Sequence, residues 1–216
     1  MNERKNIYLI LVLLSLISKI IGFARESVLA FFFGAGGVVD AFKLSESLSG
    51  IILGGLAAIP AIFVPLYMKI KGEKGEQIAK EYLKQLIVVA FIIAAILGLL
   101  SLLCTSQFII IGAPGFDDNK RKIASNMYGI CVVGYLFYAQ IGIFNNYLNC
   151  EKKFIRASFS TLFVGSTQIV FIVLAYYLNN GLIIALGLSL SMIVRYLYLR
   201  ISSHVGCLVR LRTGLP

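Results

Sequence analysis

The chain of 216 residues carries a formal net charge of +10, yet 59% of its residues are hydrophobic and only 14% are charged. Soluble domains contain about 45–50% apolar and about 25% charged residues, so the composition excludes an ordinary soluble domain and indicates a polytopic membrane protein. The cations lie mostly in loops between apolar runs, which favours a role in membrane topology over a nucleic-acid partner.

The first predicted span covers about residues 7–33 and has one polar face. Each residue of an α-helix advances about 100°, which places the polar and small residues of this run within an arc of roughly 120°. That arc contains Ser15, Ser18, Lys19, Gly22, Arg25 and Glu26. Each charge at bilayer depth costs about 2.5–3.5 kcal/mol, so the face is predicted to meet water or protein rather than lipid.

The second predicted span, about residues 40–69, contains several helix-disrupting residues. We expect Asp40 to act as its N-cap. The prolines Pro60 and Pro65 predict a bend, because proline removes a backbone hydrogen bond. One stripe at helical spacing is predicted to face the charged side of the first span, and it contains Asp40, Lys43, Ser47, Gly50 and Gly54.

Four more spans are predicted after a polar segment, Lys69 to Lys84, in which lysines alternate with glutamates like a solvated amphipathic connector. They cover about residues 85–111, 124–149, 157–178 and 182–203, and a cytoplasmic tail is predicted at 204–216. The predicted fold class is therefore all-α, with six transmembrane helices.

The distribution of lysine and arginine predicts the orientation. Three cations, at residues 120–122, lie in loops on one side of the membrane. The other side has many more, at residues 4, 5, 69, 71, 74, 80, 84, 152, 153, 156, 200, 210 and 212. The cation-rich side is expected to be cytoplasmic, so both termini are predicted to be cytoplasmic.

Catalytic and metal-binding patterns are absent from the sequence. The single histidine, His204, lies in the predicted tail, and the four cysteines show no CxxC or metal-ligand spacing. The sequence therefore predicts a protein that is not an enzyme and needs no cofactor. A coupling monovalent cation or the membrane potential is left open as the energy source.

The cationic face of the first span suits an anionic ligand whose other end is hydrophobic. Arg25 offers a planar fork for phosphate oxygens, and Lys19 offers a mobile point charge. A lipid-linked phosphate or pyrophosphate fits this description. The alternative is an internally paired network, in which Glu26 pairs with Lys19 or with Lys43. Arg195, near the cytoplasmic end of the sixth span, is expected to extend toward the lipid headgroups.

These residues carry a resemblance to a known family. Residues 18–26 (SKIIGFARE), followed by Phe33-Gly-Ala-Gly and Asp40-Ala-Phe42, resemble the first-helix motif of the MurJ (MviN) lipid II flippases. Phe63-Val-Pro65 and Ala113-Pro-Gly-Phe116 are similar to further motifs of that family in the same order. The resemblance implies the multidrug/oligosaccharidyl-lipid/polysaccharide exporter fold, of which this chain is predicted to form the N-terminal six-helix lobe.

The resemblance also implies a substrate site. In that family the polar and cationic side chains of the first helix line a central cavity and bind a lipid-linked pyrophosphate sugar. Together with the reasoning from charge, this gives six predicted substrate-binding residues: Ser18, Lys19, Arg25, Glu26, Asp40 and Lys43. Glu26 or Asp40 is expected to hold a coupling cation or to pair with the arginine when the site is empty.

Two departures from the family pattern bear on the substrate. Ser49 stands where the family's second helix has an arginine, and Gly54 where it has an acidic residue. The chain also ends after one lobe, so we expect a truncated product or a chain that needs a second lobe or another chain to close a cavity.

The leading functional hypothesis is a flippase in the bacterial cytoplasmic membrane. It would translocate an undecaprenyl-pyrophosphate-linked sugar, first of all lipid II for peptidoglycan synthesis, by alternating access. The alternatives are export of another polysaccharide-lipid intermediate, cation-coupled drug efflux, and a non-transporting truncated lobe.

Overall fold

The computed structural model describes residues 2–203, with side chains from Asn6 onward, so His204 and the predicted tail lie outside the described residues. Within this range the chain is helical and contains no strand. The helices are α1 (Asn2–Phe33), α2 (Gly37–Gly54), α3 (Ala58–Lys74), α4 (Glu76–Leu103), α5 (Thr105–Gly112), α6 (Asp118–Tyr135), α7 (Tyr138–Cys150), α8 (Phe154–Phe159), α9 (Leu162–Tyr177) and α10 (Leu182–Ser203).

Six helical segments of the described chain are long and apolar enough to cross a membrane. They are Asn6–Phe33, Gly37–Lys74, Glu76–Leu103, Asp118–Cys150, Phe154–Tyr177 and Leu182–Ser203. The all-α, six-span fold class predicted from the sequence is thereby confirmed.

The second span contains a break in its α-helix. A 3₁₀ turn, Gly55–Ala57, separates α2 from α3, as the glycines and prolines of this region predicted. The N-cap prediction was wrong, because α2 begins at Gly37 and Gly36 occupies the cap position with an extended backbone. Asp40 lies instead in the first turn, where its negative charge interacts favourably with the helix dipole.

The polar segment between the second and third spans is helical over nearly its whole length. Helix α3 continues to Lys74 and α4 begins at Glu76, so only Gly75, with φ of +89°, separates them. Glutamate and lysine four residues apart support a helix, as in the 2.5 Å pair between Glu76 and Lys80. The same charge alternation that suggested a connector is therefore compatible with helix extensions.

Helix packing brings distant parts of the sequence together. Helix α2 packs on α6, α10 packs on both α9 and α6, and α1 packs chiefly on α9. The α6–α10 contact is very close, because a Cβ added at Gly134 would lie 2.5 Å from the Cα of Ser189. Small residues permit such approaches between membrane helices. This packing places α1 against α9, while α2 packs mainly on α6 and touches α1 at only a few positions.

Candidate functional site

Four charged side chains of α1 and α2 meet in one cluster. Arg25 donates from one Nη nitrogen to Glu46, at 3.3 Å, and from the other to the adjacent Glu26. Lys43 donates to Glu26 at 2.9 Å and to Glu46 at 3.3 Å. These four residues, hereafter the charge cluster, contain two bases and two acids, so their formal charges cancel.

The cluster extends into the other half of the fold through a glutamine. Arg25 donates to the side-chain oxygen of Gln168, on α9, at 2.7 Å. Gln168 is buried and its nitrogen reaches Ser191 of α10 at 3.4 Å. Charge-assisted hydrogen bonds are roughly twice as strong as neutral ones, so Gln168 orients the guanidinium effectively.

The charge cluster is partly open to solvent. Its side chains retain between 19% and 45% of their exposure, with Arg25 the most covered and Glu26 the least. Arg25 lies eight residues before the end of α1 at Phe33, or about 12 Å along the helix. The arrangement is therefore a partly exposed polar patch within the first two candidate spans.

The six predicted site residues do not all meet. Arg25, Glu26 and Lys43 belong to the charge cluster. Lys19 is exposed and makes no hydrogen bond or ion pair with any described residue, and Ser18 is half-buried one position before it. Asp40 is exposed at the start of α2 and lies 3.7 Å from Lys120.

Three residues of this region were not among those predicted from the sequence. Glu46 completes the charge balance, while Gln168 and Ser191 anchor Arg25 to α9 and α10. A buried amide within an apolar run is itself a signal, because polar side chains in membrane helices usually form hydrogen bonds between helices. Gln168 could have been selected on that ground.

The second helix has no cation at the position where the resemblance implied one. Ser49 is fully buried, and its hydroxyl donates to the backbone oxygen of Ser45 at 2.8 Å. The nearest basic side chain of α2 in the site is Lys43, which is already engaged by both glutamates.

A cavity of about 320 Å³ lies elsewhere, between α5 and α6. Its lining includes Ser106, Ile109, Arg121 and Asn126, and none of the charge-cluster residues. The charge cluster therefore lies outside this cavity, as a partly exposed patch on the lobe.

Comparison with known proteins identifies the family. The family model described as lipid II flippase MurJ matches residues 29–208, a range that begins just after Arg25 and Glu26. A probable lipid II flippase MurJ of Buchnera aphidicola subsp. Baizongia pistaciae is 27% identical over 193 residues, which are 86% of this chain and 37% of the relative. One of Rickettsia prowazekii is 26% identical over 202 residues, which are 88% of this chain and 38% of the relative.

Solved structures support the same fold. A lipid II flippase MurJ in an inward closed conformation superposes with a TM-score of 0.76 at 21% identity, over 91% of this chain and 42% of that one. A MOP superfamily transporter from Pyrococcus furiosus, described as having a binding pocket of reverse polarity, gives a TM-score of 0.70 at 15% identity. It is matched over 96% of this chain and 47% of its own.

The chain spans less than half the length of the relatives and structures that it matches. The family match covers most of the sequence, and the six-span fold agrees with it. The chain belongs to the lipid II flippase MurJ family.

Proposed function

We propose that this chain forms one lobe of a flippase that translocates an undecaprenyl-pyrophosphate-linked sugar, with lipid II as the first candidate. The proposal depends above all on Arg25, a guanidinium held at membrane depth on a solvent-accessible wall. Family membership and relatives described as probable lipid II flippases support it. The chain would bind the diphosphate while the isoprenoid tail stays in the bilayer.

Substrate binding would proceed by exchange of anions at Arg25. In the structure the guanidinium is compensated by Glu26 and Glu46. Breaking a buried pair is costly when one charge is left uncompensated, whereas a phosphate group replaces one anion by another. Lys43 is paired with both glutamates, so it can compensate their negative charges when the guanidinium of Arg25 binds the ligand. Gln168 would hold the guanidinium in place throughout.

Lys19 would supply the additional positive charge that the cluster lacks. It lies on the polar face of α1, about one and two-thirds turns before Arg25, and it is exposed. A diphosphate carries more than one negative charge, so a second cation on the same face improves electrostatic complementarity. Ser18 would contribute a hydroxyl donor beside it.

Coupling to a monovalent cation would involve an acidic residue of the lobe. Glu26 accepts hydrogen bonds from Arg25 and Lys43, so a cation could bind there only after one of these bases has moved. Such competition would link cation binding to the release of Arg25 toward the substrate. Asp40 has a looser partner, Lys120, at 3.7 Å.

Alternating access would require a second lobe, supplied by further sequence or by another chain. The charge cluster is a partly exposed patch on the lobe, and a facing lobe would enclose that patch in a cavity. The bias of lysine and arginine supports a multi-pass protein of the bacterial cytoplasmic membrane with both termini cytoplasmic.

The test is transport of a fluorescent lipid II in proteoliposomes that contain the chain together with its partner lobe. Arg25→Ala is expected to abolish transport, because it removes the fork that binds the diphosphate. Lys19→Ala is expected to reduce transport strongly, and Lys19→Arg to preserve it. The exposed Arg156, changed to alanine, serves as the control for loss of general positive charge. Normal transport by Arg25→Ala would overturn the proposal.

A second candidate is export of a different polysaccharide-lipid intermediate. The balanced charges of the cluster and the buried Ser49 favour it, since both make the site less cationic than the resemblance implied. Purified lipid-linked substrates that share the diphosphate but differ in the sugar would separate the two candidates. Binding without transport by any of them would favour a non-transporting lobe.

A further inference from the structure

Arg195 is half-buried and lies away from the side of α10 that is suited to lipid. Four exposed apolar residues repeat at helical spacing along the helix and mark its lipid-facing side: Leu190, Val194, Leu197 and Ile201. With about 100° per residue, Arg195 lies roughly 130° around the helix from the centre of that stripe. Around the axis of α10, Arg195 therefore faces protein more than lipid, while its extension toward the headgroups stays a prediction.

The guanidinium of Arg195 has no acidic partner. Its Nε donates to the hydroxyl of Ser160 at 3.3 Å, and Ser160 is fully buried at the junction of α8 and α9. Among the described residues, no hydrogen bond or ion pair is made by its two Nη nitrogens. The side chain is only partly covered. It therefore presents two open donors and a full positive charge within a membrane-spanning helix.

An uncompensated cation in such a position is costly. Charged residues within membrane helices cost about 2.5–3.5 kcal/mol each on insertion scales, and they commonly mark ligand or ion pathways. Arg25, the other arginine at membrane depth in the described chain, is compensated by two glutamates. Arg195 differs in having a neutral hydroxyl as its contact, which leaves its charge available to an anion.

Arg195 is connected to the charge cluster along the same wall. Ser191 precedes it by four residues, so both lie on one face of α10, about one turn apart. Ser191 reaches Gln168 at 3.4 Å, and Gln168 accepts from Arg25 at 2.7 Å. Helix α10 ends at Ser203, on the predicted cytoplasmic side. Arg195 is nearer that end than Ser191, so it lies on the predicted cytoplasmic side of the contacts that join Arg25, Gln168 and Ser191.

Two aromatic side chains lie beside α10. The ring of Tyr138 stacks on that of Tyr135 with a centroid separation of 5.9 Å. Tyr135 is buried at the end of α6, and Tyr138 opens α7. Both helices pack on α10, so these two phenol rings lie at the α6–α7 junction beside the helix that carries Arg195.

We propose that Arg195 is a second phosphate-binding residue, which holds the diphosphate of the lipid-linked sugar on the cytoplasmic side of Arg25. This inference rests on the proposed function, because it concerns the same ligand. The diphosphate binds first to the open Nη donors of Arg195. It then displaces the glutamates from Arg25, one helical turn or more farther along the wall.

Binding of undecaprenyl diphosphate to the full chain in lipid nanodiscs tests the inference, with undecaprenyl monophosphate as the second probe. Arg195→Gln is expected to weaken diphosphate binding by about tenfold to a hundredfold, the effect of losing a charged hydrogen bond. Arg156→Gln, an exposed arginine at the same end of the fold, is the matched control and is expected to bind like the wild type. Arg25→Gln is measured in parallel.

The outcomes separate the two proposals. Wild-type affinity in Arg195→Gln, together with weakened binding in Arg25→Gln, would remove Arg195 from the pathway and leave the proposed function standing. Both proposals would be overturned if the wild type bound diphosphate no better than monophosphate and Arg25→Gln bound diphosphate as the wild type does. If Arg195→Gln does not fold, binding by Arg195→Lys tests the inference instead. Because lysine keeps the charge but lacks the fork, its preference for diphosphate over monophosphate is expected to fall, and an unchanged preference would overturn the inference.

Discussion

Arg25 illustrates how a charge is maintained at membrane depth before a ligand arrives. Its guanidinium contacts two glutamates and a buried glutamine, so every strong contact it makes is to an oxygen that a phosphate could replace. The site is thereby stable when empty. Under the proposed function, the same contacts would make Glu26 and Glu46 compete with the substrate.

Glu46→Gln is predicted to strengthen anion binding while weakening the fold. The change replaces one of the two carboxylate oxygens, which accept from Arg25 and from Lys43, by an NH2 donor. It leaves the cluster with a net charge of about +1 and lowers stability by about 1–3 kcal/mol. Thermal unfolding and undecaprenyl diphosphate binding in nanodiscs measure the two effects. Glu73→Gln, at an exposed position of α3, is the control. Weaker binding in Glu46→Gln would show that Glu46 contacts the ligand instead of competing with it.

A second charged group, outside the spans, predicts a dependence of stability on pH. Glu151 follows α7 and accepts from Lys71 at 2.6 Å and from the hydroxyl of Tyr67 at 3.0 Å. Burial raises the pKa of Glu151, but the hydrogen bonds from Lys71 and Tyr67 outweigh burial and hold the pKa below its ordinary value of 4.5.

Since the folded pKa is lowered, the unfolded chain binds the proton more readily. The stabilisation by Glu151 is therefore fully present above the ordinary value and is lost as the pH falls through the folded pKa. Thermal unfolding of wild type and Glu151→Gln across a pH series measures this contribution. The two are expected to differ at neutral pH and to converge in acid. A difference that does not change with pH would contradict this role of the carboxylate.

At the scale of the elements, close helix contacts depend on the absence of side chains. The α6–α10 contact at Gly134 is backed by a hydrogen bond of 2.5 Å from Ser189 to the backbone oxygen of Ile130. The α3–α7 contact is similar, because a Cβ at Gly142 would lie 2.5 Å from Cγ of Pro60. These contacts set how closely α6 approaches α10 and α3 approaches α7.

Gly134→Ala is predicted to destabilise the fold, because its added methyl group would meet the backbone of Ser189. Overpacking of this kind costs about 1–3 kcal/mol, against a gain of up to about 1 kcal/mol in helix propensity. Gly129→Ala on the same helix is the matched control, since its nearest neighbour is Leu102 Cδ2 at 3.9 Å. The midpoint of thermal unfolding is expected to be lower for Gly134→Ala than for the wild type, and equal or higher for Gly129→Ala. The reverse order would contradict the α6–α10 packing.

Much of the element structure could be predicted from local patterns. The breaks at Gly34–Gly37 and at Asn179–Gly181, and the interruption of the second span, follow from glycine and proline chemistry. The polar face of α1 follows from helical spacing, and the polar stripe of the next span along the chain made an approach of Lys43 to Glu26 one of the expected pairings. The anchoring of Arg25 by Gln168 and the inward position of Arg195 depend on which helices pack together, and periodicity within one helix does not determine that.

At the scale of the whole molecule, the predicted orientation is open to direct test. A cysteine placed at Lys120 is expected to react with an impermeant reagent from the periplasmic side of intact cells, because that loop lies on the side with few cations. Cys104 is exposed and would also react, so Cys104→Ser is the background for the experiment. A cysteine at Lys152 is the control and should react only after the membrane is opened. Labelling in the opposite pattern would reverse the topology.

The cancellation of charge in the cluster has an electrical consequence. Moving one elementary charge through a membrane voltage of 100 mV involves about 2.3 kcal/mol of work. Arg25, Lys43, Glu26 and Glu46 sum to zero, so the voltage does no net work on them when the lobe rocks. In the empty carrier, Lys19 and Arg195 would then be the uncompensated charges of the described spans that sense the field. An interior-negative voltage would instead push the phosphates of the cargo outward, so the loaded step would be the electrogenic one.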